Sequence, residues 1–132
     1  MRFRFLFLFS LSVSASAFAG SLKLEVICQY LKGTGDNREQ LNVSVLTDLQ
    51  TSEKIAEIYS RFEGKESEVV GISVVRREDS MNRVYESSYG ERSFKMGVRH
   101  IEETKGIHIG SVTGEIDDRH FQEQPVKCAI FQ

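Results

Sequence analysis

The sequence contains no Cys-x-x-Cys pair, no two histidines four residues apart, no sustained basic tract and only one proline. Without the first two there is no recognisable zinc pattern, because such a site needs ligands spaced to converge on one ion. Without a basic tract nothing in the chain is suited to neutralising a phosphate backbone, and nucleic acid leaves the list of partners. Beyond residue 19 no apolar run approaches the roughly twenty residues that a membrane-crossing helix needs. A nucleophile elbow is also missing. Gly110-Ser111-Val112-Thr113-Gly114 has its serine in the wrong place and fits a strand running into a loop. Gly33-Thr34-Gly35 lacks the third glycine of a dinucleotide fingerprint.

What is present begins with a leader. Arg2 and Arg4 supply positive charge, Phe5 to Val13 an apolar core, and Ala17 and Ala19 the small residues of a cleavage site. Residues 1–19 therefore read as a secretory signal peptide, and residues 20–132 as a single β-rich domain large enough to bury one core. The expected location is secreted or periplasmic. Loss of Arg2 and Arg4 removes two of 17 basic residues against 19 acidic ones, so the net charge moves from −2 to −4.

Export places thiols where they oxidise, and the two cysteines, Cys28 and Cys128, are expected to form one disulfide. Each lies in a segment that alternates apolar and polar residues. In Leu22 to Tyr30, period two puts Leu22, Leu24, Val26, Cys28 and Tyr30 on one face, and Val126, Cys128 and Ile130 share a face near the other end. The terminal strands should therefore lie side by side.

Between them, Gln40 to Leu46 reads as a strand with Leu41, Val43 and Val45 on one face. Residues 53–62 carry two readings. Ile55, Ile58, Tyr59 and Phe62 fit a short helix capped by Ser52, whereas strands on both sides favour an extended segment. The β-branched run Val69 to Val75 suggests a strand buried on much of both faces, with Gly71 marking a bulge or a close approach. Arg83 to Val98 forms a hairpin about Gly90-Glu91, with Tyr89 opposite Arg92. Counting outward sets Ser87 against Phe94, Tyr85 against Met96, Arg83 against Val98, and an ion pair between Glu86 and Lys95 on the other face. Ile107 to Thr113 is a further strand, Gly114 to Gln124 a polar loop, and Pro125 the start of an edge strand.

Short strands punctuated by turns indicate an all-β fold, a small antiparallel β-barrel of seven or eight strands, with a two-sheet β-sandwich as the alternative. The barrel is preferred because closure joins the two ends and covers both edges.

The chemistry-bearing residues are scattered. His100 falls on the face of Phe94, Met96 and Val98 at the rim of the core, and Asp117-Asp118 with His120 offers acids for a hard cation that a polar loop explains equally well. Asn42-Val43-Ser44 matches a glycosylation acceptor. Tyr85, Phe94 and Met96, with Tyr89, form a candidate ligand cavity, with plain core packing as the competing reading. The expected function is that of an exported binding protein with no catalytic residues, cofactor or metal, whose partner is a protein or a small apolar ligand. The alternatives are a hydrolase with a non-standard acid and histidine site, and a structural envelope component.

Overall fold

Period-two alternation makes strands, and strands fill the molecule. The computed structural model of the chain describes residues 21–87, 93–116 and 118–131. Residues 1–20, which include the expected leader, residues 88–92, where the expected turn with Tyr89 opposite Arg92 falls, Asp117 and Gln132 lie outside them. Among the described residues run β1 (Leu22–Lys32), β2 (Glu39–Asp48), β3 (Lys54–Phe62), β4 (Lys65–Glu66), β5 (Val70–Glu78), β6 (Asn82–Ser87), β7 (Phe94–Thr104), β8 (Ile107–Ile116) and β9 (Arg119–Ile130). Eight of these close antiparallel into a barrel in the order β2-β1-β9-β8-β7-β6-β5-β3, with β2 paired to β3, while the two-residue β4 sits outside against β3. The barrel is all-β, as the sequence predicts, and the sandwich alternative falls away.

An eight-stranded barrel has an interior just wide enough for side chains to fill. Here they do so with Val26, Leu41, Val43, Val45, Ile58, Val74, Tyr85, Met96, Val98, Val112 and Val126 in one cluster. The alternating outward positions include Gln29, Arg77, Lys95 and Lys127, all exposed. An apolar interior with a charged wall is the reverse of a membrane-spanning barrel. Closure is narrow at one seam. β1 pairs with β9 only over Val26–Gln29 against Lys127–Ile130, and within that pairing Cys28 lies opposite Cys128. The disulfide between them spans 100 residues of chain and leaves no free cysteine among the described residues.

The hairpin register holds as counted, with Arg83 against Val98, Tyr85 against Met96 and Glu86 against Lys95. The expected Glu86–Lys95 ion pair is not the one that forms. Glu86 accepts from Nε of Arg77 at 2.5 Å on the neighbouring β5, and Arg77 holds its carboxyl below the ordinary range, with Lys95 contributing from further away. Residues 54–62 are strand, not helix, because pairing to β2 and β5 satisfies the backbone on both edges while Ala56 and Ile58 point inward. Ser52 caps nothing and sits in the β2–β3 turn at φ 65°.

Four other expectations fail for identifiable reasons. β5 is buried on one face only, with Val75 51% exposed, because its second face looks out from a single-layer wall. Gly71 marks neither a bulge nor a close approach, since β3–β5 register is continuous through it and an added Cβ would make ordinary contact with Ile55. The tight spots are Gly110 and Gly114, where an added Cβ would stand 2.7 Å from the Gly97 carbonyl and 2.2 Å from that of Ser93. Residues 114–124 are not a loop. β8 and β9 pair through them, and a bulge opposite Thr113, with Glu123 at φ 46°, shifts the phase of alternation and hides it. Pro125 accordingly lies inside β9 instead of starting a strand. It pairs with Ser111 on β8, and its other edge needs no N–H because β1 pairing stops at Lys127.

The seam yields a test. A bridge closing a loop of this length contributes about 4 to 5 kcal/mol in the chain-entropy model. Reduction, or Cys28→Ala, is expected to lower unfolding free energy by a comparable amount in urea titration. An unchanged midpoint would show that the four-pair seam closes the barrel unaided.

Candidate functional site

The two ends of the barrel are finished differently. At the end formed by Tyr30, Phe62 and Arg119, aromatic rings fill the opening. Tyr30 stacks on Phe62 at 6.2 Å, Phe121 meets Phe62 edge-on at 5.4 Å, and the Arg119 guanidinium lies 5.7 Å above the Phe62 ring. Arg119 also donates to Ser60 Oγ at 2.8 Å and to the Lys65 carbonyl at 2.6 Å, which ties the β3–β4 turn across that mouth.

The opposite end is lined by charge. On four strands, β2, β3, β5 and β6, the inward file carries apolar residues through the barrel and then a polar one at its last inward position. On β2 the file Val43, Val45 ends in Thr47. On β3 Lys54 precedes Ala56 and Ile58, on β5 Arg76 follows Ile72 and Val74, and on β6 Arg83 precedes Tyr85. Into this ring β1 inserts a carboxylate. Leu24 pairs with Leu46 and Val26 with Val45, so Glu25 is an extra residue in a β-bulge. The bulge turns Glu25 inward, where only 9% of it is exposed, and it turns Leu22 out to 41%. The single alternating face expected for Leu22 to Tyr30 therefore breaks at this point.

Glu25 is fully occupied. Its Oε1 accepts from Thr47 Oγ1 and Lys54 Nζ, both at 2.7 Å, and its Oε2 accepts from Arg76 at 3.0 Å and from the Tyr85 hydroxyl. Arg83 stands 3.9 Å from Oε2. Burial on its own would raise the Glu25 carboxyl, but the bonds from Lys54, Tyr85 and Thr47 and the Lys54 charge outweigh it and bring the pKa down to about 2. Burial and the bond to Glu25 push the Tyr85 phenol well above its usual range. Arg76 is fixed from a second side by Glu78, whose Oε2 it meets at 2.5 Å. Above these groups lies an open cavity of about 360 Å³ lined by Lys23, Glu25, Thr47, Leu49, Lys54, Arg76, Arg83 and Phe131.

The residues singled out from sequence go elsewhere. Tyr85, Phe94 and Met96 all join the core cluster, and Tyr85 and Met96 have no solvent-accessible surface, so no water-sized space touches them. His100 and His108 do reach the charged end, where His108 is spent on backbone and His100 is shared between backbone and the Glu78 carboxylate, whose Oε1 lies 3.7 Å from its Nε2. His100 Nε2 lies 3.2 Å from the Asp79 carbonyl and His108 Nδ1 lies 2.7 Å from that of Arg99. His120 stands at the β8–β9 turn, near Glu115 at 3.9 Å. No group of three metal-binding side chains occurs among the described residues. Ser111 is mid-strand on β8 opposite Pro125, and Asn42 is mid-strand on β2 with its Oδ1 accepting from Gln40.

Sequence reasoning missed Glu25, Lys54 and Arg76 altogether and placed Arg83 only as a partner of Val98. The available signal was the inward file itself, which extended by one step ends in a cation on β3, β5 and β6. Comparison with protein-family models, with curated proteins and with solved structures finds no match for this chain.

The linkage sign follows from the lowered carboxyl. Because Glu25 titrates near 2 in the fold against 4.5 ordinarily, its stabilisation is complete above about pH 4.5 and is lost as pH falls toward 2. The shift corresponds to something on the order of 3 kcal/mol. Glu25→Gln, which leaves Lys54 and Arg83 uncompensated and Arg76 with Glu78 alone, is expected to cost about 3 to 5 kcal/mol at neutral pH and to flatten the acid limb of a urea-midpoint profile. A wild-type acid limb retained in the variant would show that Glu25 does not anchor this end.

Proposed function

We propose that the protein is an exported binding module that recognises its partner at its surface and performs no catalysis. The observation that carries this reading is the packing of the barrel interior. Where Tyr85 and Met96 have no accessible surface, side chains occupy the place an apolar ligand would take. That argues against the small apolar ligand and favours a partner met at the wall or at the charged mouth. The hydrolase alternative needs a base beside a nucleophile. Against it stand His108, bonded to the Arg99 carbonyl, and His120, at the start of β9 at the aromatic end, while His100 lies 3.7 Å from Glu78 and within reach of the Asp79 carbonyl.

A Cys28–Cys128 bridge and a short seam suit an oxidising compartment, in agreement with the leader at residues 1–19. A second reading, a structural envelope component, draws on the exposed apolar residues Ile101 on β7 and Met81 in the β5–β6 turn, 79% and 56% exposed.

Mass spectrometry of material co-purifying with the native exported protein tests the proposal. A stoichiometric protein or a polar small molecule is the expected result. Turnover of an ester or amide panel that disappears on substituting His100 or His108 would overturn it in favour of the hydrolase.

A further inference from the structure

The charged mouth holds more positive charge than its own carboxylates use. Glu25 has about four lone-pair directions, and Thr47, Lys54, Arg76 and Tyr85 fill them. Arg76 is satisfied between Glu25 and Glu78. Arg83 is left over. Its guanidinium makes a long 3.4 Å contact to the Tyr85 oxygen and a 3.9 Å ion pair to the already filled Glu25 Oε2, and its Nε is buried with no hydrogen-bond partner. Lys23, exposed at the start of β1, lines the same cavity and has no side-chain partner among the described residues. Four cations, Lys23, Lys54, Arg76 and Arg83, thus face two carboxylates, Glu25 and Glu78, and leave a surplus of about two positive charges around a cavity of about 360 Å³. Leu49 and Phe131 give that cavity an apolar margin.

We infer that this mouth binds a small organic dianion, either a dicarboxylate or a phosphomonoester, with its charged groups on Lys23, Lys54 and Arg83 and its carbon body against Leu49 and Phe131. The inference rests on the binding role proposed above and names the chemistry of the site. Charge complementarity decides the class, since a dianion neutralises the surplus and a monoanion leaves half of it. The volume falls in the range of small-molecule sites. Arg83 supplies the planar fork that carboxylate and phosphate oxygens both accept. Glu25 has a positioning role. It holds Lys54 and Arg76 in place before the ligand arrives, so that little ordering remains to be done on binding.

The test uses the mature, disulfide-bonded chain at low ionic strength, with succinate and glycerol phosphate as probes, and acetate and sodium chloride at matched ionic strength as controls. At least one dianion is expected to raise Tm and to bind by calorimetry, with affinity falling steeply as salt is added. Preference for succinate or for glycerol phosphate then identifies the carboxylate or the phosphate source. Lys23→Glu and Arg83→Leu are each expected to weaken binding at least tenfold. Because Lys23 is exposed, Lys23→Glu remains decisive even if Arg83→Leu fails to fold. The inference is overturned if neither dianion exceeds chloride, or if binding is unchanged in Lys23→Glu. Should no dianion bind while the same partner still co-purifies with wild type and Lys23→Glu, the mouth assignment fails and the binding role stands. Should a bound dianion be chemically turned over, the non-catalytic reading fails and the site stands.

Discussion

The whole barrel depends on a short closing seam. Every other neighbouring pair in the ring is a longer antiparallel ladder, but β1 and β9 share only Val26–Gln29 and Lys127–Ile130. These strands lie at opposite ends of the chain, so their meeting carries the largest loop-closure entropy in the molecule. The disulfide acts at the point where that cost falls, because Cys28 and Cys128 face each other within the seam. Once the ring is shut, the strand edges left open among the described residues are short and include the stretches where β9 runs past β1, the part of β5 beyond Val74 and the outer side of β4.

Closure also sets the conditions inside. A ring of eight strands leaves a channel that side chains fill, and the middle of this one is filled by Val, Leu, Ile, Met and Tyr. A filled channel has two ends that must be finished with groups able to face both the core and water. One end is finished with stacked rings and Arg119, the other with cations gathered round Glu25. The bulge at Glu25 is what makes the second solution possible, since a regular β1 would aim that carboxylate at solvent and leave Lys54 and Arg76 opposing each other over an apolar floor. Buried ion pairs contribute little net stability against apolar packing of the same volume. Their value here is to fix several long side chains in one arrangement, which is the property a binding site requires.

The proposed binding role is therefore assigned to one mouth. The interior has no room at Tyr85 and Met96, the far end is tied across by Arg119, and the histidines are held by the backbone carbonyls of Asp79 and Arg99 or stand beside Glu78 and Glu115. The mouth combines an open volume, fixed charges and two cations with donors to spare.

The sequence by itself determined most of the strands, the hairpin register between Arg83–Glu86 and Lys95–Val98, the pairing of the two cysteines and the barrel that follows from joining the ends. These are encoded locally, in period-two alternation and in turn residues, which need no knowledge of distant neighbours. It left 53–62 between helix and strand and read 114–124 as a loop, where the structure has strands. It did not determine the phase of alternation across bulges. At Glu25, and again opposite Thr113, one extra residue exchanges inside for outside, and whether a strand bulges depends on the partner it pairs with. For the same reason the charged mouth was illegible. Glu25, Lys54, Arg76 and Arg83 lie 7 to 58 positions apart in the chain and read singly as solvated surface charges. Only the closed ring, which brings the last inward positions of separate strands onto one rim, decided that they form a single site.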